Sequence, residues 1–127
     1  MVVIDTDALI EFSKGNAKIA EKIKQLQAVE QLATTVFNAE EFFYGLLKKG
    51  REEEIAQGYS MLQKIKNYGY TQKETEAVIK IKLELEKEGK SIGPYDECIA
   101  GICITKNEAL YTLNRKHFER VKQLKLI

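Results

Sequence analysis

Along this chain, short β-branched runs that stop at a polar residue alternate with longer stretches whose apolar residues recur every three or four positions. Val2, Val3 and Ile4 make the first such run and predict a strand that ends at Asp5. The residues after it, Asp7 to Phe12, predict a helix whose cap is Thr6 or Asp7. Residues 16–28 carry Ile19, Ile23 and Leu26 at helical spacing, and LATTVF at 32–37 predicts a second strand. In 38–50, Ala39, Phe42, Phe43, Leu46 and Leu47 form an apolar stripe with Gly50 as its stop. Two amphipathic segments, 51–69 and 71–89, predict two long helices that each close on a glycine. Pro94 suits the first turn of a helix over 94–104, because its fixed φ and missing N–H cost nothing there. ALYT at 109–112 then predicts a strand, 113–121 a short helix and LKLI at the end a last strand.

Strands that alternate with helices imply an α/β fold on a mostly parallel sheet, since parallel neighbours need crossover connections of helix length. With 127 residues, 44% of them hydrophobic, one proline and no Gly/Ser-rich stretch, the chain is expected to form a single domain over 1–127. Residues such as Tyr59, Leu62, Val78, Ile81 and Leu85 in the two long helices are read as more than one face of a small sheet covers, which leaves surface for a groove or a homodimer.

Charge changes this picture little. Twenty Lys and Arg stand against nineteen Asp and Glu, unlike the strongly basic balance of a nucleic-acid coat protein. From Thr105 onward, however, Lys106, Arg115, Lys116, Arg120, Lys122 and Lys125 outnumber Glu108 and Glu119, a modest basic footprint or an ordinary solvated surface. The start shows no basic lead, long apolar run or cleavage site, and no segment is apolar enough to span a bilayer, so a cytoplasmic protein with no membrane partner is expected. Cys98 and Cys103 sit five apart on one expected helix and are read as reduced, buried packing residues.

The chemistry gathers where strands end and helices begin. Asp5, Glu40 or Glu41, Asp96 and Asn114 all fall at such junctions, which in parallel sheets collect at the carboxyl edge where ligands bind. Carboxylates brought together repel one another unless a cation lies between them, and oxygen ligands suit Mg²⁺ or Mn²⁺. One histidine and no CxxC leave little for a zinc site. Each position also has a plain structural use. Asp5 and Asp7 suit helix caps, Asn38 with Glu41 a capping box, Asp96 a helix dipole and Asn114 an N-cap. The residue pattern by itself leaves both readings open.

Four stretches resemble the motifs of PIN domains of the VapC type. MVVIDTDALIEF is similar to the first, a strand ending in Asp-Thr-Asn; NAEEFFYG to the second, Glu followed four residues later by Gly; GKSIGPYDECIAG to the third, Ile-Gly-x-x-Asp-x-x-Ile-Ala; ALYTLNRKHFERV to the fourth, Thr-x-Asn or Asp before a helix with Phe. They occur in family order and cover residues 1 to about 121. The resemblance implies a central, mostly parallel sheet of about four or five strands flanked by helices. It also implies a Mg²⁺-dependent (or Mn²⁺-dependent) endoribonuclease that acts as the toxin of a toxin–antitoxin pair, with RNA as substrate, a cognate antitoxin as partner and a homodimer as the assembly.

Carried over position by position, Asp5, Glu41 and Asp96 match the family's acidic residues, with Asp5 and Asp96 as the expected metal ligands, and Asn114 matches the fourth polar position. Thr6 and Thr112 match hydroxyl residues that support the carboxylates, and Arg115 and Lys116 are the expected phosphate contacts. Asp7 departs from the family, which has Asn there, and so adds a negative charge. A helical wheel puts Glu40 nearer the apolar stripe, whereas the family spacing to Gly45 selects Glu41. His117, alone as a histidine, is read chiefly as part of the last helix. Two rival readings stand beside the nuclease: a non-catalytic PIN-like interaction module, and an Asp-nucleophile phosphatase prompted by Asp5-Thr6-Asp7 after a strand.

Overall fold

In the computed structural model, which describes all 127 residues, eleven elements follow one another: β1 (Val2–Ile4), α1 (Thr6–Ser13), α2 (Ala17–Val29), β2 (Leu32–Thr35), α3 (Val36–Lys49), α4 (Glu52–Gln63), β3 (Lys66–Tyr68), α5 (Gln72–Glu88), α6 (Pro94–Lys106), β4 (Ala109–Tyr111) and α7 (Arg115–Phe118). The strands form one sheet in the order β3-β2-β1-β4, and every pair is parallel. β1 lies inside, with Val3 beside Ala33 on one side and Leu110 on the other.

Side chains of a strand point to alternate faces, and here both faces are covered. Val3, Ala33 and Leu110 pack on α5 and α6 through Ile81, Leu85, Ile99 and Ile102. Val2, Ile4, Leu32 and Tyr111 face the opposite way, against Leu9, Ile23 and Phe42 of α1, α2 and α3. A continuous β-branched run such as VVI is what a strand buried on both faces requires. The α5–α6 contact is close enough that a Cβ at Gly101 would collide with the Val78 side chain and stand 3.3 Å from its backbone nitrogen.

Four sequence expectations shift. The second strand stops at Thr35, and Val36 and Phe37 belong to α3. Thr35 accepts from the Asn38 backbone N–H while the Asn38 side chain accepts from Thr35, so the capping box is Thr35/Asn38 and not Asn38/Glu41. Segment 51–69 is not one helix. It breaks after Gln63, and Lys66–Tyr68 forms an edge strand in which only Tyr68 is buried, too short and too polar to show a strand period. The closing LKLI makes a single bridge, Leu126 to Leu110, instead of a strand.

Burial also redraws the surplus apolar surface. Leu62, Val78, Ile81 and Leu85 are core, whereas Ile79 and Leu83 on the outer side of α5 are exposed. Cys103 is buried, and burial raises its thiol pKa far above the usual range; Cys98 is only half-buried, not the core residue its helical setting suggests. No helix is long and apolar enough to cross a membrane.

Candidate active site

Because all four strands run the same way, their carboxyl ends share one edge, and Asp5, Asn38 and Thr112 meet there after β1, β2 and β4. Asp5 is buried, and its backbone is fixed by an N–H bond to the Tyr111 carbonyl of 2.9 Å. Asn38 Nδ2 donates to Asp5 Oδ1 at 2.8 Å and to Thr6 Oγ1 at 3.0 Å. Thr112 Oγ1 donates to Asp5 Oδ2 at 2.6 Å. Asn38 is itself oriented, since its Oδ1 accepts from the Thr35 hydroxyl at 2.7 Å. The carboxylate of Asp5 makes no cap to α1, so helix capping does not account for it.

The charges of Asp7 and Asp96 act on this fixed carboxylate, and both also act on Glu41. Asp7 accepts from the Leu113 N–H at 3.2 Å and so ties α1 to the turn after β4. Burial, followed by the charges of Asp7 and Asp96, pushes the Asp5 carboxyl up to about 7, with the Thr112 hydrogen bond opposing. Glu41, on the exposed rim of α3, is also raised, first by burial of its carboxyl and then by the charges of Asp96, Asp7 and Glu40. Glu40 turns elsewhere and accepts from the Tyr95 hydroxyl at 2.7 Å. Asp96, in the first turn of α6, contacts His117 Nδ1 through Oδ2 at 2.9 Å.

The remaining expected residues are less engaged. Asn114 has an exposed side chain and makes no side-chain cap, while its backbone N–H bonds Thr112 Oγ1 at 3.0 Å. Lys116 is exposed beside it. Arg115 donates to the Ile127 carbonyl at 2.7 Å and pairs with Glu119 at 3.7 Å.

No three His, Cys, Asp or Glu side chains stand close enough to hold a metal ion as they are. The donor set nevertheless fits one. Asp5, Asp7, Glu41 and Asp96 repel one another, none is paired with a lysine or arginine, and the ligand atoms they offer are carboxylate oxygens. A hard divalent cation is the partner such a set favours.

The sequence matches the PIN domain family over residues 2–124. This chain is a PIN domain. It is 29% identical over 126 residues to the ribonuclease VapC1 of Methanocaldococcus jannaschii, an alignment covering 98% of this chain and 84% of the relative. Among solved structures, VapBC2 of Rickettsia felis bound to a promoter DNA fragment superposes with a TM-score of 0.90 at 25% identity, covering 100% of this chain and 98% of the other. VapBC-1 of nontypeable Haemophilus influenzae does so with a TM-score of 0.87 at 25% identity, covering 100% and 97%. The four-stranded parallel sheet with helices on both faces is thus the fold of VapC proteins, and it displaces the phosphatase reading.

In this PIN domain, sequence reasoning missed Asn38, whose amide links α3 to Asp5. The signal was present: a strand placed to end at Thr35 makes Asn38 the third helical residue, on the side that faces the sheet edge. The contact between His117 and Asp96, 21 residues apart, had no local signal.

Proposed function

We propose that this PIN domain is a metal-dependent endoribonuclease, the toxin of a type II toxin–antitoxin pair, with 1–127 as its single catalytic domain. The observation that carries the reading is Asp5, a buried carboxylate held by two donors at the sheet's carboxyl edge, in the field of two further carboxylates, Asp7 and Asp96, neither of them paired with a lysine or arginine. The kinship to a ribonuclease VapC1 and to VapBC complexes supports the substrate class and the partner.

Asp5 and Asp96 hold the cation, Mg²⁺ or Mn²⁺, and Glu41 completes the acidic pocket from α3. A bound divalent cation supplies positive charge where a phosphodiester gains negative charge on the way to cleavage. Asn38, Thr112 and Thr6 keep the Asp5 oxygens in one orientation, so little reorganisation is needed when substrate arrives. Asn114 orients a water or a carboxylate by hydrogen bonding from the rim, and Lys116 contacts phosphate. A splayed, single-stranded RNA backbone reaches this pocket better than a regular duplex does.

The antitoxin is read as covering the acidic site, and an apolar cleft elsewhere on the surface is read as a further place for it to dock. Helices α1 to α4 enclose a cleft of about 1190 Å³, lined by apolar Phe12, Ile23, Leu46, Met61 and Ile65 and edged by Lys14, Lys49, Arg51 and Lys64. An amphipathic segment with acidic flanks matches that surface. Exposed Ile79 and Leu83 on α5, one turn apart, offer a separate apolar face for a second copy of the chain.

Purified protein is expected to cleave a mixed pool of cellular RNA with Mg²⁺ or Mn²⁺ and to stop when a chelator is added. Expression without an antitoxin is expected to arrest growth. Full cleavage in chelator would overturn the metal mechanism, and harmless expression of active protein would overturn the toxin role while keeping the nuclease.

A further inference from the structure

The two carboxylates assigned to the cation are held very differently. Asp5 is gripped through both oxygens, whereas Asp96 has a single partner, His117 Nδ1, 2.9 Å from Oδ2. The His117 and Asp96 side chains are 36% and 24% exposed, so the contact lies at the rim, where an unrestrained Asp would sample several rotamers. His117 is not free to follow it. The next residue, Phe118, is completely buried in the core, and its carbonyl accepts from the Val121 N–H at 3.0 Å, so the backbone that carries the imidazole is anchored.

We propose that His117 is a positioning residue for the nuclease: its Nδ1–H donates to Asp96 Oδ2 and fixes the orientation of a carboxylate that would help to hold the divalent cation. A carboxylate only accepts, so the contact places the hydrogen on Nδ1 and selects that tautomer. One oxygen is then satisfied by the imidazole and the other has no protein donor. Asn38 and Thr112 hold both oxygens of Asp5, whereas α7 supplies Asp96 with one donor to one oxygen. The His117 role rests on the metal-nuclease reading and assigns the orientation of that site's second ligand.

The role belongs to one donor atom, which makes it separable from ring packing. Asn places an amide N–H where Nδ1 stands, whereas Phe keeps the ring and loses the donor. Binding of Mn²⁺ to the full-length protein, read by its electron paramagnetic resonance signal, is expected to weaken about ten-fold or more in H117F, the size seen when a donor behind a metal ligand is removed. Cleavage should lose kcat while KM for RNA stays within about two-fold, and H117N should return Mn²⁺ affinity to within about three-fold of wild type. On a D96N background, H117F should add no further loss, because its effect runs through Asp96. Should H117F fail to fold, H117N against H117Q reads the same contrast, since the longer Gln side chain displaces the donor. Unchanged Mn²⁺ affinity in H117F, an H117N no better than H117F or H117Q, or losses that add in full to D96N would each overturn the assignment. Wild-type protein that binds Mn²⁺ and cuts RNA beside an indifferent H117F sinks this assignment alone; wild-type protein that does neither sinks it together with the nuclease reading.

Discussion

The inner wall of the acidic site and its outer rim are built on opposite terms. On the wall, Asp5, Thr6, Asn38 and Thr112 are buried and hydrogen-bonded to one another, and no buried side-chain polar atom in the protein lacks a partner. On the rim, Glu41, Asp96, Asn114 and Lys116 are exposed or half-exposed, and the one side-chain contact among them is the 2.9 Å pair of Asp96 with His117. The wall spends folding energy on a geometry that already exists before any ligand binds. The rim keeps its groups solvated, which lowers the cost of holding four carboxylates in one place and leaves them able to move onto a cation. A preformed anchor and an adjustable rim together explain why carboxylates couple electrically without yet standing at ligand distance.

The largest effect is expected where the wall is most costly. Asp5→Asn should reduce RNA cleavage by about 1000-fold or more, roughly 4 kcal/mol in the barrier, yet the metal-free variant should be more stable than wild type at pH 8. Asn at this position still accepts from Asn38 Nδ2 and can donate to the Thr112 hydroxyl, so the network survives. The sign follows from the raised pKa. Folding moves the Asp5 carboxyl from 3.8 to about 7, so the folded protein binds the extra proton and is favoured by low pH. Its destabilisation is absent below about pH 4, grows as pH rises, and is complete above about pH 7, on the order of a few kcal/mol. Thermal melts of metal-free protein from pH 4 to 8 should show this loss in wild type and a flatter profile in Asp5→Asn. Identical profiles in the two proteins would remove the argument that Asp5 is the strained anchor. Divalent-cation affinity should rise over the same window, because metal and proton compete for one carboxylate.

A middle-sized effect separates wall from rim directly. Asn38→Ala leaves Asp5 Oδ1 and the Thr35 hydroxyl without their partner in a buried setting, a cost of about 2–3 kcal/mol. It should lower the melting temperature by several degrees and weaken cation binding by about 10- to 100-fold. Asn114→Ala, at an exposed position with no side-chain cap, should leave stability unchanged within about 0.5 kcal/mol and reduce cleavage only modestly. Differential scanning fluorimetry with a cleavage assay checks both. Equal stability losses would mean that the rim is as built as the wall.

What could be read in the sequence divides along the same line. The rim residues and Asp5 were legible because they carry motif chemistry: a strand ending in Asp5, the Gly93-Pro94 start that places Asp96 in a first helical turn, and Asn114 after a strand. The sheet was legible because β1, β2 and β4 are β-branched or apolar and buried on both faces. β3 was not, since an edge strand of three residues with Lys66 and Asn67 exposed has no period to detect. Asn38 was hidden by a boundary error of two residues, which moved the capping box one turn along α3. Charge and proximity in sequence also do not reveal that the Arg115 side chain donates to the Ile127 carbonyl.

The smallest effect sharpens the comparison within the rim itself, between the adjacent carboxylates of α3. Helical geometry turns successive residues about 100° apart, so Glu40 and Glu41 cannot both face the same pocket. Glu40 accepts from the Tyr95 hydroxyl at 2.7 Å, and Tyr95 also packs edge-on against Phe37 with ring centroids 5.2 Å apart, which fixes that pair. Glu41 instead feels Asp96 and Asp7 strongly enough to raise its carboxyl. Glu41→Gln should therefore cut cleavage about ten-fold, roughly 1.4 kcal/mol, and weaken Mn²⁺ binding in parallel, because it removes one negative charge from the pocket. Glu40→Gln should change cleavage by less than about three-fold, since the Gln carbonyl still accepts from Tyr95 and the lost charge lies outside the pocket. Steady-state kinetics of the two variants at saturating Mg²⁺ and again at limiting Mg²⁺ reads the contrast, which should widen when the cation is scarce. A larger loss at Glu40 would move the Tyr95–Glu40 pair into the site and turn Glu41 into a solvated rim charge.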